Sequence, residues 1–337
     1  NIGVGGNWDV APLISRLNPD MTRYLSGLTD WKANVSLALP EQGFHYTASV
    51  ISDLQGVSSS LPSPLNKKKP QIKRLSVTSQ GDQTASTITA MLGKNTTFNG
   101  VLPHREMQFS RVHLALGESE QTSLGTGFSI AANLPALNVT DWYKAIELLI
   151  SGVKDTGSDK PGLFAVPRRI FINTDKLAVG GQALSKVDIV AKQQNNNWLL
   201  DINSDQARAR VNLYDEWLSR GIEIEADYID FAQLDAPDEA VQHDWDPATL
   251  PPVYFHCRQC SVLGKNLGEV TVDVVKSAQG MEIRQLAATG EHHQFSGKGR
   301  WLANSNTTAI SGSLKSDDAG QMLTNWGVDS GIKDSSA

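Results

Sequence analysis

Apolar and polar residues alternate along most of the chain, with the period of two that is typical of β-strands with one buried face. In residues 222–228, isoleucine, alanine and tyrosine alternate with glutamate and aspartate. The same alternation occurs in residues 35–39, 44–50, 112–116, 209–213 and 270–274. Turn-forming residues separate these segments, as in residues 193–197 and 277–280. We therefore predict a mainly β protein whose sheet is built from antiparallel hairpins.

Three segments carry helical signals instead. Asn138 or Thr140 is placed to cap a helix whose apolar stripe has helical spacing: Trp142, Ala145, Ile146 and Leu149. The second segment is residues 10–28, interrupted by Pro19, and the third is residues 317–326, with Gly327 after its end. We expect these few short helices to cover or cap the sheet.

The second half of the chain contains a weak internal repeat. Residues 184–190 align with residues 267–273, and each is followed by a polar turn and a further strand. Two hairpin repeats fit this pattern, and so does coincidence between similar strands. We predict one β segment with helices at residues 1–151, a connecting loop at 152–162, where Gly, Ser, Asp and Lys gather, and a second β segment at 163–337.

The apolar faces of these strands need a cover, since large exposed apolar patches are rare in soluble monomers. The sheet can close on itself around a dry core, or it can curl into a trough whose apolar lining meets acyl chains. The periodicity alone favours the closed core.

Composition narrows the ligand classes. The formal net charge of −6 argues against a nucleic-acid-binding protein. The basic run Lys67–Lys69 precedes Pro70, and we interpret it as a solvated turn rather than a lipid-headgroup contact. We expect no signal peptide in these residues, and no apolar segment in the sequence reaches the ~20 residues that span a bilayer. We expect the chain to be a fragment of a longer protein.

Several motifs occur in a fixed order along the chain: residues 52–57 (SDLQGV) leading into 61–67 (LPSPLNK), 134–142 (LPALNVTDW), 246–252 (DPATLPP), 267–269 (LGE), 297–301 (GKGRW), 318–323 (DAGQML) and 326–327 (WG). This ordered series resembles the YhdP family of the AsmA-like superfamily. The resemblance implies a long, twisted antiparallel sheet curled into a hydrophobic groove. It also implies phospholipid transfer between the inner and outer membranes of Gram-negative bacteria, in support of the outer-membrane barrier.

By the same resemblance the chain is periplasmic and belongs to a protein anchored in the inner membrane, with membrane contacts outside these residues. Its partners would be phospholipid acyl chains. The candidate lipid-binding residues are the apolar halves of the predicted strands: Val35, Leu37, Leu39, Phe44, Tyr46, Val50, Val112, Leu114, Leu116, Val211, Leu213, Ile222, Ile224, Val270, Val272 and Val274. The alternative for each of them is an ordinary packed core.

Cys257 and Cys260 are a candidate disulfide. Three residues of extended strand cover about 10 Å, beyond the ~7 Å limit for a disulfide. A bond therefore requires a turn or bulge at Arg258–Gln259, and free thiols are the alternative. Zinc would need two further ligands from the histidines, and we expect no metal site.

No catalytic constellation is evident. His292–His293 and His243–Asp244 lie in polar segments with no nucleophile nearby. We therefore expect a protein that is not an enzyme and needs no cofactor. Two other functions stay open: a scaffold for envelope assembly with a closed dry β-core, and a polysaccharide-active enzyme, which needs two carboxylates about 5–10 Å apart.

Overall fold

The structure is a computed structural model that describes residues 1–17, 19–118, 125–154, 163–179, 182–231, 250–303, 305 and 307–325. It divides into two compact units, unit 1 (Asn1–Thr174) and unit 2 (Asp175–Ala337). Strands dominate both units and the helices are few and short, so the prediction of a mainly β protein is confirmed.

Unit 1 contains ten complete strands, one 3₁₀-helix and two α-helices among its described residues. The strands are β1 (Ile2–Asp9), β2 (Leu25–Ser26), β3 (Leu28–Ala38), β4 (His45–Ser52), β5 (Ser58–Ser59), β6 (Leu75–Gly81), β7 (Ala85–Leu92), β8 (Thr96–Pro103), β9 (Arg111–Gly117) and β10 (Gly127–Asn138). Its main sheet has the order β1-β3-β4-β6-β7-β8-β9-β10, and β2 pairs with β5. The helices are α1 (Ala11–Leu17), the 3₁₀-helix Pro19–Arg23 and α2 (Val139–Lys154).

Strand β11 (Pro167–Val179) runs across the boundary between the units. The strands of unit 2 pair in sequence order: β12 (Gln182–Gln194), β13 (Asn197–Asn203), β14 (Ala207–Tyr214), β15 (Ile222–Phe231), β16 (Val253–Val262), β17 (Lys265–Ser277), β18 (Gly280–Thr289), β19 (Gln294–Leu302) and β20 (Thr307–Lys315). Two short helices, α3 (Trp217–Arg220) and α4 (Ala319–Asn325), complete its described part.

The sheets are not antiparallel throughout, which corrects the sequence prediction. Strands β9 and β10 pair in parallel, and so do β15 and β16. Two parallel neighbours cannot be joined by a two-residue hairpin, and in the sequence residues 118–126 separate β9 from β10 and residues 232–252 separate β15 from β16. Alternation specifies which face a residue occupies but not the direction of the neighbouring strand, so the pattern could not reveal these pairs.

The helices follow the predicted signals closely. Helix α2 begins after Asn138, whose side-chain Oδ1 accepts a hydrogen bond from the backbone N–H of Thr140 at 2.9 Å. Pro19 separates α1 from the 3₁₀-helix, because proline cannot continue the hydrogen bonding of a helix. The predicted helix was wrong beyond Arg23, where β2 and β3 follow. The ends of two other predictions, residues 155–162 of the connecting loop and residues 326–327, lie outside the described residues.

Lys67 overturns the expected solvated turn. Its side chain is buried, and Nζ donates to the carbonyl oxygens of Val57 at 2.8 Å and Lys68 at 3.1 Å. Desolvation lowers the pKa of Lys67 below its ordinary value, against a smaller opposing effect of Asp53. Only Lys68 and Lys69 of the basic run are exposed. The lysine thus serves as an internal donor for a loop whose carbonyls have left the sheet.

Among the described residues, none of the helices combines the length and the apolar composition needed to cross a membrane.

Candidate lipid-binding surface

Strand register in unit 2 gathers distant apolar residues into rows on one sheet face. Val211 lies directly opposite Ile224, Ile224 opposite Phe255, and Phe255 opposite Val272. Side chains of directly opposed residues point to the same face of a sheet. These four residues therefore form one continuous apolar row across β14, β15, β16 and β17.

The rows on either side repeat this arrangement. One contains Leu213, Ile222, Val253 and Val274, and the other contains Ala209, Ala226, Cys257 and Val270. The seven candidate residues of this half of the chain thus share one surface, which we call the unit 2 apolar face: Val211, Leu213, Ile222, Ile224, Val270, Val272 and Val274.

The unit 2 apolar face continues onto β19 and β20 through an aromatic ring and two glycines. Gly297 and Gly312 lie directly opposite each other in the row that begins with Val211. A Cβ on Gly297 would come within 3.0 Å of the ring of Phe295, and one on Gly312 within 3.2 Å. The glycines therefore leave room for the phenylalanine ring to lie over the sheet.

A disulfide lies in the same face. Cys257 and Cys260 are bonded, with their Cα atoms 5.9 Å apart, and the register of β16 shifts between them. Opposite the shift, Gly268 has a φ of 69°, and a Cβ there would lie 2.1 Å from the carbonyl oxygen of Thr289. The bulge that the sequence requires for a local disulfide is thus present, and it turns both sulfurs into the apolar side of the sheet.

The disulfide is surrounded by a closed cluster. Cys257 has no exposed surface, and Cys260, Ala226 and Val270 are buried around it. Phe255 and Val272 pack against this cluster from the next row. The part of the unit 2 apolar face around the disulfide is therefore packed core, not open surface.

Towards one end of the strands the same face opens into a cavity of about 290 Å³. Its lining is almost entirely apolar: Leu250, Pro251, Val253, Val272, Val274, Met281, Ile283, Trp301 and Thr308. Two candidate residues, Val272 and Val274, thus border space that a hydrocarbon chain can enter. We call this space the unit 2 cavity.

The opposite face of unit 2 is ion-paired. Arg210 Nε lies 2.9 Å from Asp201 Oδ1, and Arg258 Nη1 lies 3.2 Å from Asp227 Oδ1. All four side chains are well exposed. The arrangement gives this face a hydrated, charged surface, in contrast to the apolar rows behind it.

His256 lies in this charged face between two carboxylates. Its Nδ1 is 2.9 Å from Glu225 Oε2, and its Nε2 is 2.9 Å from Glu269 Oε1. Hydrogen bonds to Glu269 and Glu225 raise the pKa of His256 above its ordinary value, with burial as a smaller opposing effect. Both nitrogens are engaged, so the geometry describes a structural ion pair rather than a general base.

Unit 1 has a corresponding face built from its own strands. Leu37 lies opposite Tyr46, Val35 opposite Ala48, and Val50 opposite both Ala33 and Val77. Following the same rows across β6, β7 and β8 leads to the candidate residues of β9, which are Val112, Leu114 and Leu116. We call this surface the unit 1 apolar face. Leu39 and Phe44 lie just beyond the ends of β3 and β4.

Aromatic rings cover the β8–β10 side of the unit 1 apolar face. Phe109 and Phe164 stack with ring centroids 5.1 Å apart, and Phe98 meets Phe109 edge-on at 5.5 Å. A Cβ on Gly100 would lie 2.6 Å from the Phe109 ring, so the glycine is needed for this approach. Val112 beneath is only 2% exposed. Here the candidate residues belong to a packed core.

The β1–β3 side of the same face is open. Leu37 is 57% exposed and Leu39 is 75% exposed. Val35 and its direct partner Ile2 are exposed as well. Sequence periodicity could not separate these residues from Val112, because all of them alternate in the same way. They differ in the structure, where these residues are exposed and Val112 is buried.

Several apolar residues of these faces were not among the sequence candidates. Phe255 lies in the central row of unit 2, and Met281, Ile283 and Trp301 line its cavity. Alternation of Val253, Phe255 and Cys257 could have revealed the first of these. Met281 and Ile283 lie before a register shift in β18, which breaks the period of two between Ile283 and Leu286, and Trp301 lies opposite Met281 in β19.

Together these faces define a class of mainly β proteins in which register separates continuous apolar rows from a hydrated face. The YhdP family model, described as YhdP protein, matches residues 1–337. The chain belongs to the YhdP family. A curated relative, the intermembrane phospholipid transporter YhdP of Escherichia coli (strain K12), is 22% identical over 349 residues. The match covers 99% of this chain and 27% of the relative, so the chain spans about a quarter of that protein's length. No solved structure shows significant similarity to the chain.

Proposed function

We propose that this chain is a non-enzymatic phospholipid-transfer segment, in which acyl chains contact the open parts of the two apolar faces. The observation that carries the proposal is the row Val211–Ile224–Phe255–Val272, which leads to an apolar cavity. The relative's name, intermembrane phospholipid transporter, supports the same ligand class.

The mechanism is partition between water and an apolar surface. Each buried methylene of an acyl chain gains about 0.8 kcal/mol. A series of similar apolar rows therefore replaces one large cost of crossing water with many small steps between sites of similar free energy. A sheet curled into a groove would keep the headgroup in water while the chains stay covered. The charged face of unit 2 is suited to the hydrated outside of such a groove.

Membership of the family supports a cellular setting for this function. The chain would work in the periplasm as part of a longer protein anchored in the inner membrane, with membrane contacts outside these residues. It would carry phospholipid between the inner and outer membranes and so support the outer-membrane barrier. The formal net charge of −6 agrees with a ligand other than nucleic acid.

A second function, an assembly scaffold with a dry core, is favoured by the covered parts of both faces. The aromatic cover over Val112 and the cluster around Cys257 leave no room for an acyl chain at those positions. The two functions differ in whether lipid reaches the open parts.

Photo-crosslinking tests the proposal. A photo-crosslinking residue replaces Val272 or Ile224 on the unit 2 apolar face, and Thr271 or Glu223 on the opposite face in matched controls. Each 337-residue variant is incubated with phospholipid vesicles, irradiated and analysed by denaturing mass spectrometry. We expect phospholipid adducts at Val272 and Ile224 only. Equal adducts at the controls, or none in a folded sample, would overturn lipid transfer and leave the scaffold.

A further inference from the structure

A hydrogen-bonded group of polar side chains interrupts the unit 1 apolar face at one end of its strands. Tyr46 lies directly opposite Gly81, and Gly81 lies opposite Ser86. The tyrosine hydroxyl therefore reaches across β6 to the serine of β7. Ser79 on β6 and His104 in the turn after β8 complete the group, which we call the Tyr46 cluster.

The cluster is a linear chain of three hydrogen bonds. Ser79 Oγ lies 2.9 Å from Tyr46 Oη, Tyr46 Oη is hydrogen-bonded to Ser86 Oγ, and Ser86 Oγ lies 2.7 Å from His104 Nε2. Ser86 is buried and the other three are half-buried. Among the described residues, no further side-chain hydrogen bond links these four groups to the rest of unit 1.

The Tyr46 cluster has more hydrogen-bond donors than its internal hydrogen bonds can use. Three hydroxyl groups and a neutral imidazole carry four protons that can be donated, but the cluster contains only three internal hydrogen bonds. One donor is left over at an end of the chain in either tautomer, at His104 Nδ1 or at Ser79 Oγ. An imidazolium leaves two. The cluster therefore retains one donor, on a half-buried residue, that its internal hydrogen bonds do not use.

We propose that the Tyr46 cluster binds an ester carbonyl of a diacyl phospholipid, which rests on and deepens the proposed function. A carbonyl oxygen accepts the leftover donor, and the acyl chain that follows it lies on the apolar rows of β3 and β4. The cluster itself contains no Lys or Arg, and a buried phosphate would need such a cation. A neutral acceptor joined to hydrocarbon fits both the donor and the surface.

Ester-linked and ether-linked lipids separate this inference from general lipid binding. The 337-residue chain is incubated with vesicles holding equal amounts of a diacyl phosphatidylethanolamine and its dialkyl ether analogue, which has the same headgroup and chain length but no carbonyl. Bound lipid is recovered with the protein and quantified by mass spectrometry. One neutral hydrogen bond predicts enrichment of the ester lipid by about fivefold.

Two variants complete the experiment. Replacing all four groups by apolar ones (Ser79→Ala, Tyr46→Phe, Ser86→Ala, His104→Phe) is expected to lower the ester-to-ether ratio to about one. Thr47→Val, next to Tyr46 but on the other face, is expected to keep the preference. Equal binding of both lipids by the unaltered chain would overturn the ester site and leave acyl binding intact. Failure of both lipids to bind would overturn the proposed function as well.

Discussion

Ile224 and Val272 lie in one row of the unit 2 apolar face because Phe255 lies directly opposite both of them. One of these pairings is parallel and the other antiparallel, yet the row is continuous. Strand direction changes the hydrogen-bond pattern but not the alternation of side chains. The unit 2 apolar face therefore continues from β15 to β16 with the same residue pattern, although these two strands are parallel.

The disulfide is expected to stabilise unit 2. For a closed loop as short as Cys257–Cys260, the chain-entropy model gives about 2 kcal/mol. The double variant Cys257→Ala/Cys260→Ala should therefore lower the free energy of unfolding by about that amount in urea denaturation. Adding a reductant should destabilise the unaltered chain to a similar extent and leave the variant unchanged. An unaltered chain that is indifferent to reductant would contradict this prediction.

Leucine-to-alanine substitution at two positions of the unit 1 apolar face should affect different properties. At the buried position it should lower stability, and at the exposed position it should lower lipid binding. Leu116 is 2% exposed and Leu37 is 57% exposed. Leu116→Ala should cost about 3 kcal/mol of unfolding free energy because it leaves a cavity. Leu37→Ala should cost less than about 1 kcal/mol but reduce the lipid recovered with the protein. Equal destabilisation by both variants would show that the two sides of this face are equally closed.

Lys67 and Lys68 form a matched pair for a test of the internal donor. Lys67→Met leaves the carbonyl oxygens of Val57 and Lys68 without their donor, and an unsatisfied buried polar group costs about 1–3 kcal/mol. The exposed Lys68→Met should be nearly neutral. Urea denaturation of both variants measures the difference. Comparable stability of the two would mean that water replaces the Lys67 ammonium without loss.

His256 should make stability depend on pH. Its pKa in the folded state is raised above the ordinary value of 6.5 by Glu269 and Glu225. The folded state thus binds the proton more tightly than the unfolded state. The stability that protonated His256 contributes is therefore present in full below pH 6.5 and is lost as the pH rises through the raised pKa. His256→Gln should therefore destabilise the chain more at pH 6 than at pH 9 in thermal denaturation. A destabilisation by His256→Gln that increases with pH would contradict the raised pKa of His256.

Much of the β architecture could be predicted from the sequence because each strand carries its face in its own alternation. The residues around Val211, Ile224 and Val272 were predicted as strands from local pattern alone, and each lies in a strand. The N-cap of α2 at Asn138 was equally local. Strand direction at β9–β10 and β15–β16 could not be predicted, because the alternation of side chains is the same beside a parallel and an antiparallel neighbour.

The candidate site shows the same division. Alternation assigned Leu37 and Val112 to the apolar side of their strands. It could not predict that aromatic rings cover Val112 while Leu37 stays exposed. It also gave no sign that Tyr46, Ser86 and His104 meet, since they come from separate elements.

The sequence by itself therefore determined the strands, their apolar halves and the resemblance to a family, because these depend on neighbours along the chain. Only the tertiary structure decided which strands pair in parallel, where the apolar faces are closed and where they are open, and which polar groups interrupt them. These features depend on register between strands and on loops that return over the sheet. The free energy of such contacts belongs to pairs of residues that are distant in sequence, so no local pattern records it.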